Sequence, residues 1–221
     1  MPDAAHDITP FVAADYQAAT KCDEATLQRL KTYEATLIDW NERMNLVSPS
    51  TVSDIWRRHF LDSAQLLRFV PGHARRIVDM GSGAGFPGLV LAASLAGRDG
   101  LEVVLIESIE KKCAFLRAAS AEMGLDGCVK VHRGRAEDIN GLKADVVTAR
   151  AMAPLSTLLR YAQKFTEKST VCLFPKGRTA AEELTQAARS WRIEADLIPS
   201  RTDRSASVVL VKSFSFKGRR S

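Results

Sequence analysis

The amino-acid sequence predicts an α/β protein, a seven-stranded and mostly parallel sheet covered by helices and preceded by a helical extension. Three observations carry that expectation. From about residue 73 onward, short apolar runs alternate with amphipathic stretches, the pattern of successive strand–helix units around a parallel sheet. Before that point apolar residues recur at threes and fours, the period of a helix face rather than of a strand. No helical stretch separates the last two strand candidates, so those two are expected to pair as an antiparallel hairpin.

The helical extension is assigned to residues 1–72. Leu27, Leu30, Leu37, Trp40 and Met44 mark one apolar face, and Ile55, Leu61 and Leu66 continue it. Asp23 is placed to cap the long second helix, because a carboxylate there accepts the free N–H groups of the first turn. Pro49 and Ser50 mark a break before a third helix, and Pro71-Gly72 closes the segment. The sheet domain follows over residues 73–214, with strand candidates at 77–80, 101–107, 129–132, 145–149, 170–175, 192–198 and 207–212. Helices fit between most of them, at 87–95, 110–123, 154–165 and 179–190. Residues 215–221 form a basic tail, of which 217–221 is expected to be loose and solvated.

Composition excludes several classes. At 221 residues, 46% hydrophobic and 26% charged, the chain buries a proper core and needs no disulfide scaffold. Its four cysteines show no CxxC spacing and its four histidines no HExxH pattern, so reduced thiols, no metal and a cytoplasmic location are expected. Residues 1–7 do not read as a signal peptide, and the most apolar runs, at 88–96 and 103–106, are far shorter than the roughly 20 residues that span a bilayer, so no membrane partner is expected. The net charge of +5 favours polyanionic partners without naming one.

The strand ending Asp79-Met80 runs into Gly81-Ser82-Gly83-Ala84-Gly85, glycines at alternate positions that let the backbone turn sharply and approach a ligand where a Cβ would collide. Pro87 suits the first turn of the next helix, whose free N–H groups face the same crevice. The dinucleotide pattern G-x-G-x-x-G can be laid on Gly83, Gly85 and Gly88, so the glycines alone admit a nicotinamide enzyme. Asp79 inside the first strand and Glu107, about twenty residues past the glycines at the end of the second, shift the balance toward an adenosyl ligand. Glu107 can accept from both ribose hydroxyls or, alternatively, cap the helix that begins near Ile109. After the third strand, the Ala136 backbone and the Glu137 carboxylate fall where an adenine edge would lie, unless Glu137-Asp138 is only a solvated acidic turn. Phe86, held in the glycine loop, is an aromatic candidate for the pocket wall. Five parallel strands closed by a hairpin suit a methyltransferase sheet better than a dehydrogenase one, which makes S-adenosylmethionine the expected cofactor.

Further pieces are distinctive in their order and spacing: Trp40-Asn41 with Asn45-Leu46, Arg58-His59-Phe60-Leu61-Asp62-Ser63, the run from Val78 to Gly88, Ala136-Glu137, Thr148-Ala149-Arg150-Ala151 and Lys176-Gly177. Over most of its length the chain resembles the bacterial 16S ribosomal RNA guanine-N7 methyltransferases, the glucose-inhibited division protein B family. That resemblance implies a Rossmann-like class I methyltransferase fold, a guanine of 16S rRNA in the decoding region as acceptor, and cofactor contacts at Gly81, Phe86, Ala136, Glu137 and Arg150. Gly83 and Glu107 join this set from the pattern of the glycine turn and its acid. Met80 departs from the family, in which a small β-branched residue is commoner, and only a packing adjustment is expected there.

Guanine N7 carries a lone pair and no proton, so an enzyme acting there aligns and stabilises rather than deprotonates. The D/N-P-P-Y/F motif of many exocyclic-amine methyltransferases is missing, and Arg150 occupies the catalytic edge after strand four instead, with Lys176 similarly placed after strand five. A guanidinium at Arg150 can hold guanine O6, an RNA phosphate or the cofactor carboxylate, or form a structural salt bridge to Asp79 or Asp145. Cys172, between Val171 and Leu173, reads as a buried strand residue rather than a nucleophile. Arg58 and Asp62 lie one helical turn apart and are expected to pair with each other. His59 and Ser63 share that spacing and could face the active site, but His59 reads first as a satisfied core histidine, and Trp40 and Trp56 as helix-packing residues. The expected partner is 16S rRNA or the small ribosomal subunit, met by a monomer. The alternative is a methyltransferase of another RNA, a small molecule or a protein.

Overall fold

The computed structural model describes residues 10–218. Residues 1–9, and Arg219, Arg220 and Ser221 of the expected basic tail, lie outside the described residues. Helix α1 spans Ala13–Thr20 and α2 spans Glu24–Asn41, the latter capped as expected by Asp23, whose Oδ1 accepts the Thr26 N–H at 2.7 Å. Helix α3, Pro49–Val52, opens on the proline that breaks the preceding pattern. The next helical run changes pitch twice: a π-helix over Trp56–Leu61, one α turn (α4) over Asp62–Ala64 and a 3-10 turn over Gln65–Phe69. A π turn takes in one more residue than an α turn, so side-chain directions here are not those that a 3.6-residue period implies.

The sheet contains β1 Arg76–Met80, β2 Glu102–Glu107, β3 Val129–Arg133, β4 Val146–Thr148, β5 Val171–Lys176, β6 Trp191–Pro199 and β7 Ser207–Phe216. Its order is β3-β2-β1-β4-β5-β7-β6, and β7 alone runs antiparallel to its neighbours. Helices α5 Gly88–Leu95, α6 Glu110–Glu122, α7 Leu155–Ala162 and α8 Ala180–Ser190 make the crossovers. The expected terminal hairpin is β6–β7, with a register shift at Glu194/Ala195. No helix among the described residues is long and apolar enough to cross a membrane.

The central strands read as nearly continuous apolar runs because both faces of the sheet are covered. Alternation along each strand divides them: Ile77, Leu105 and Leu173 enter one core, Val78, Ile106 and Phe174 the other. Met80 is fully buried in the second. The amino-terminal helices close the first core, where Leu30, Tyr33, Trp56 and Phe60 pack with Leu89 and Phe115. Trp56 stacks on Phe60, and Trp40 meets Phe115 edge-on, both as helix-packing residues.

Two expected boundaries move. Strand β7 continues through Phe216, which pairs with Trp191 and meets its ring edge-on at 5.2 Å, so residues 215 and 216 belong to the sheet rather than to the tail. Strand β4 ends at Thr148, one residue early, because the chain turns away and Ala151 takes a left-handed conformation with φ 54°.

Candidate active site

Strand order reverses between β1 and β4, which opens a crevice beyond the carboxyl ends of the strands. Gly81, Glu107, Arg150 and Lys176 leave the sheet around that opening. The β1 turn is stapled to β2 where the Ser82 N–H donates to the Ile106 carbonyl at 2.9 Å. Gly81, Gly83 and Gly85 have φ of 65°, 56° and 92°, conformations that L side chains rarely adopt. At Gly85 a Cβ would also lie 2.5 Å from Leu89 Cδ1 and 2.7 Å from the Tyr33 hydroxyl. Gly88 answers to packing instead, since a Cβ there would reach Leu105 Cδ2 at 2.3 Å.

Beneath the turn lies Asp79, fully buried. The β1–β4 register places it opposite Thr148, whose hydroxyl donates to Asp79 Oδ1 at 2.8 Å, while the Gly88 N–H donates to Oδ2 at 3.3 Å. Burial raises this carboxyl to about 6, and the hydrogen bonds from Thr148, Ser82 and Gly88 oppose the rise.

Glu107 performs the capping role and leaves room for the ligand role. Its Oε1 accepts the Ile109 N–H at 2.9 Å at the entry to α6, and its Oε2 accepts the Gly83 N–H at 3.0 Å. Oε2 keeps a lone pair for a further donor. Ala136 is buried on a short 3-10 turn, and Glu137 beside it approaches Arg135 at 3.9 Å. Gly81, Gly83, Phe86, Glu107, Ala136, Glu137 and Arg150 all line one cavity of about 560 Å³.

A second cavity of about 740 Å³ adjoins it, and Thr51, His59, Arg150 and Ala151 line both. Arg150 is the shared wall. Its Nη1 donates to the Arg58 carbonyl at 3.2 Å and to Asp62 Oδ2 at 3.3 Å, its Nη2 lies 2.8 Å from His59 Nδ1, and its guanidinium sits 5.0 Å above the centre of the Phe86 ring. The expected Arg58–Asp62 ion pair is therefore replaced: Asp62 faces Arg150, and Arg58 turns its side chain to the second cavity. The same contact answers the salt-bridge alternative for Arg150, whose partner is Asp62 rather than Asp79 or Asp145.

His59 is satisfied, as expected, and it faces the cavity junction, the alternative that its spacing had left open. Its ring stacks on Phe86 at 4.9 Å, and its Nε2 lies 3.0 Å from the Thr51 hydroxyl. Burial, then the charges of Arg150 and Arg58, lower this imidazole to about 3. Lys176 lines the second cavity, with Nζ donating to Glu183 Oε2 at 2.8 Å and to the Ala153 carbonyl at 2.6 Å. Burial pushes the Cys172 thiol up to about 12, in keeping with a strand residue and not a nucleophile.

Sequence reasoning missed Thr148, the ring contact of His59, and the floor of the second cavity. There Asp62 Oδ1 accepts from Gln65 Nε2 at 2.8 Å and from the Thr202 hydroxyl at 2.9 Å, and Gln65 Oε1 accepts the Arg201 N–H at 3.0 Å. Helical spacing carried the only available signal, the grouping of Asp62 and Gln65 with Arg58 and His59.

The sheet order and the adenosyl-sized crevice at the glycine turn define a class I S-adenosylmethionine-dependent methyltransferase fold, and antiparallel β7 between β5 and β6 sets it apart from the dinucleotide-binding order that Gly83, Gly85 and Gly88 had left open. An O-methyltransferase from Bacillus cereus in complex with S-adenosylhomocysteine shares this fold at a TM-score of 0.55, with 17% identity over 90% of this chain and 99% of that one. The family model described as GidB, rRNA small subunit methyltransferase G, matches residues 26–204, and the chain belongs to that family. It is 49% identical to the ribosomal RNA small subunit methyltransferase G of Rhodospirillum centenum, over 94% of both chains. The enzyme of the same name from Methylorubrum populi is 48% identical over 86% of this chain and 90% of its own.

Proposed function

We propose that the protein methylates N7 of a guanine in 16S rRNA, using S-adenosylmethionine as donor. The observation that carries this reading is the pair of cavities meeting at Arg150: one is lined by the glycine turn, Glu107 and Ala136, and the other by Arg58, Arg204 and Lys176. The first has the features an adenosyl group needs, namely a close-approach backbone, a carboxylate with a free lone pair and a buried alanine turn. When bound, S-adenosylmethionine supplies an electrophilic sulfonium methyl, which N7 accepts without prior loss of a proton.

The chain's own task is alignment. We assign Gly81, Gly83, Phe86, Glu107, Ala136 and Glu137 to holding the cofactor, and Arg150 to the edge between cofactor and acceptor. Arg150 carries a fixed positive charge, and its partners hold it over Phe86 with little freedom to rotate. Lys176 is committed to Glu183 and orders the wall of the acceptor cavity. Arg58 and Arg204, neither of which forms an ion pair among the described residues, are available to phosphates. In this reading the protein acts as a cytoplasmic monomer on free 16S rRNA or on the small ribosomal subunit.

The test is transfer of labelled methyl from S-adenosylmethionine to small-subunit RNA and to particles. The expected product is one guanine whose site is cleaved after borohydride and aniline. Transfer to none of naked RNA, immature particles and mature subunits overturns the proposal.

A further inference from the structure

Arg150 has five N–H donors. Two on Nη1 go to the Arg58 carbonyl and to Asp62, and one on Nη2 goes to His59. The remaining two, on Nε and Nη2, have no acceptor among the described residues and are available to a ligand at the cavity junction. Whether they point there depends on what holds Nη2.

A guanidinium only donates, so His59 Nδ1 must be the acceptor in that contact and must be unprotonated. The proton of the neutral ring then resides on Nε2, where it donates to the Thr51 hydroxyl. Both ring nitrogens are thus committed, one tautomer is selected, and the ring plane is fixed by its stack on Phe86. The groups facing this ring are Arg150 from the turn after β4, Arg58 from its own helical run, Thr51 from α3 and Phe86 from the glycine turn. None of them is a carboxylate that would favour an imidazolium.

We propose that His59 is a positioning residue for methyl transfer: through Nδ1 it holds the Arg150 guanidinium in the wall shared by the two cavities. The role in transfer rests on the proposed function, while the tautomer and the contact do not. Asp62 alone would leave the guanidinium free to swing about one anchored edge. With His59 on the other terminal nitrogen, the plane is held at both ends.

The test compares wild type, His59→Phe, which keeps an aromatic ring against Phe86 but has no acceptor, and His59→Asn, whose amide oxygen can take the place of Nδ1. At saturating S-adenosylmethionine, His59→Phe is expected to lower kcat about tenfold while the KM for the cofactor moves less than about threefold, and His59→Asn to recover most of that loss. Equal kcat in wild type and His59→Phe, or no recovery with His59→Asn when both variants unfold at the wild-type temperature, overturns the proposal. Nitrogen NMR of the histidine ring supplies an arm independent of activity. Near neutral pH it should show protonated Nε2 and bare Nδ1, and the opposite tautomer or an imidazolium overturns the proposal whatever the enzyme does. Wild type that transfers methyl to no small-subunit substrate would instead count against the proposed function.

Discussion

The two cavities that meet at Arg150 are built by opposite means. The cofactor side gathers mainly around one loop: Asp79 bonds Gly88 nine residues away, Glu107 bonds Gly83 across 24, and Gly81, Gly83 and Gly85 share one turn, with Thr148 reaching Asp79 across 69 as the distant contributor. The acceptor side is assembled from distant segments, since Arg150 reaches Asp62 across 88 residues and Thr202 reaches Asp62 across 140. A rigid parallel sheet supports the first. The second depends on a helical run of mixed pitch held against the β6–β7 turn by a few polar side chains. This fold keeps donor binding and acceptor binding on separate foundations, with one arginine common to both.

If that division holds, the largest effect should follow from the shared residue. Arg150→Ala is expected to lower kcat/KM about a hundredfold or more, measured by methyl transfer at varied concentrations of each substrate. An effect confined to cofactor affinity would assign Arg150 to the donor side alone. Next, Gly85→Ala should destabilise the protein by about 3 kcal/mol and abolish cofactor binding, because strain at positive φ adds to collisions with Leu89 and Tyr33. Gly83→Ala meets only the Gly81 carbonyl at 3.8 Å, so its cost should be nearer 1 kcal/mol. Urea unfolding and calorimetric titration with S-adenosylhomocysteine check the pair, and equal costs would show that crowding does not decide the donor side.

The two sides should also separate by pH. Asp79 is raised from 3.8 to about 6, so between those values the folded state holds a proton that the unfolded state has released, and stability from this group falls as pH rises. The penalty on the charged form is about 3 kcal/mol. His59 is lowered from 6.5 to about 3, so the unfolded state binds the proton that the folded state refuses, and stability from this group falls as pH drops below 6.5. In the shared window the slopes oppose. Asp79→Asn should therefore expose a steeper loss in acid, and His59→Phe a gain, in unfolding free energies measured from pH 4 to 7. Parallel curves for both variants and wild type would refute the assignment. The smallest effect is expected at the acceptor rim, where Arg58→Ala and Arg204→Ala should each weaken RNA binding by about 1 kcal/mol and reduce the salt slope by about one, with cofactor affinity unchanged.

The difference in construction also explains what was legible in advance. The succession of strands and helices, the glycine turn and the acids at Asp79 and Glu107 follow from apolar periodicity and spacing within neighbouring strand–helix units, and the structure places Gly81, Gly83, Glu107, Ala136 and Glu137 around one cavity. The Arg58–Asp62 pairing failed because helical spacing ranks only neighbours in sequence, and a partner 88 residues away offers a better-buried contact. The π turn at Trp56–Leu61 and the left-handed Ala151 leave no mark in residue type.

Residue order by itself determined the mostly parallel sheet, its terminal hairpin and the adenosyl turn, because each depends on local backbone preference and on the two-residue and 3.6-residue periods of burial. Only the tertiary structure decided where Arg150 points, which tautomer His59 adopts and how Asp62, Gln65 and Thr202 close the second cavity. Those features are hydrogen bonds between segments remote in the chain, and their partners are chosen by which polar groups packing leaves facing each other.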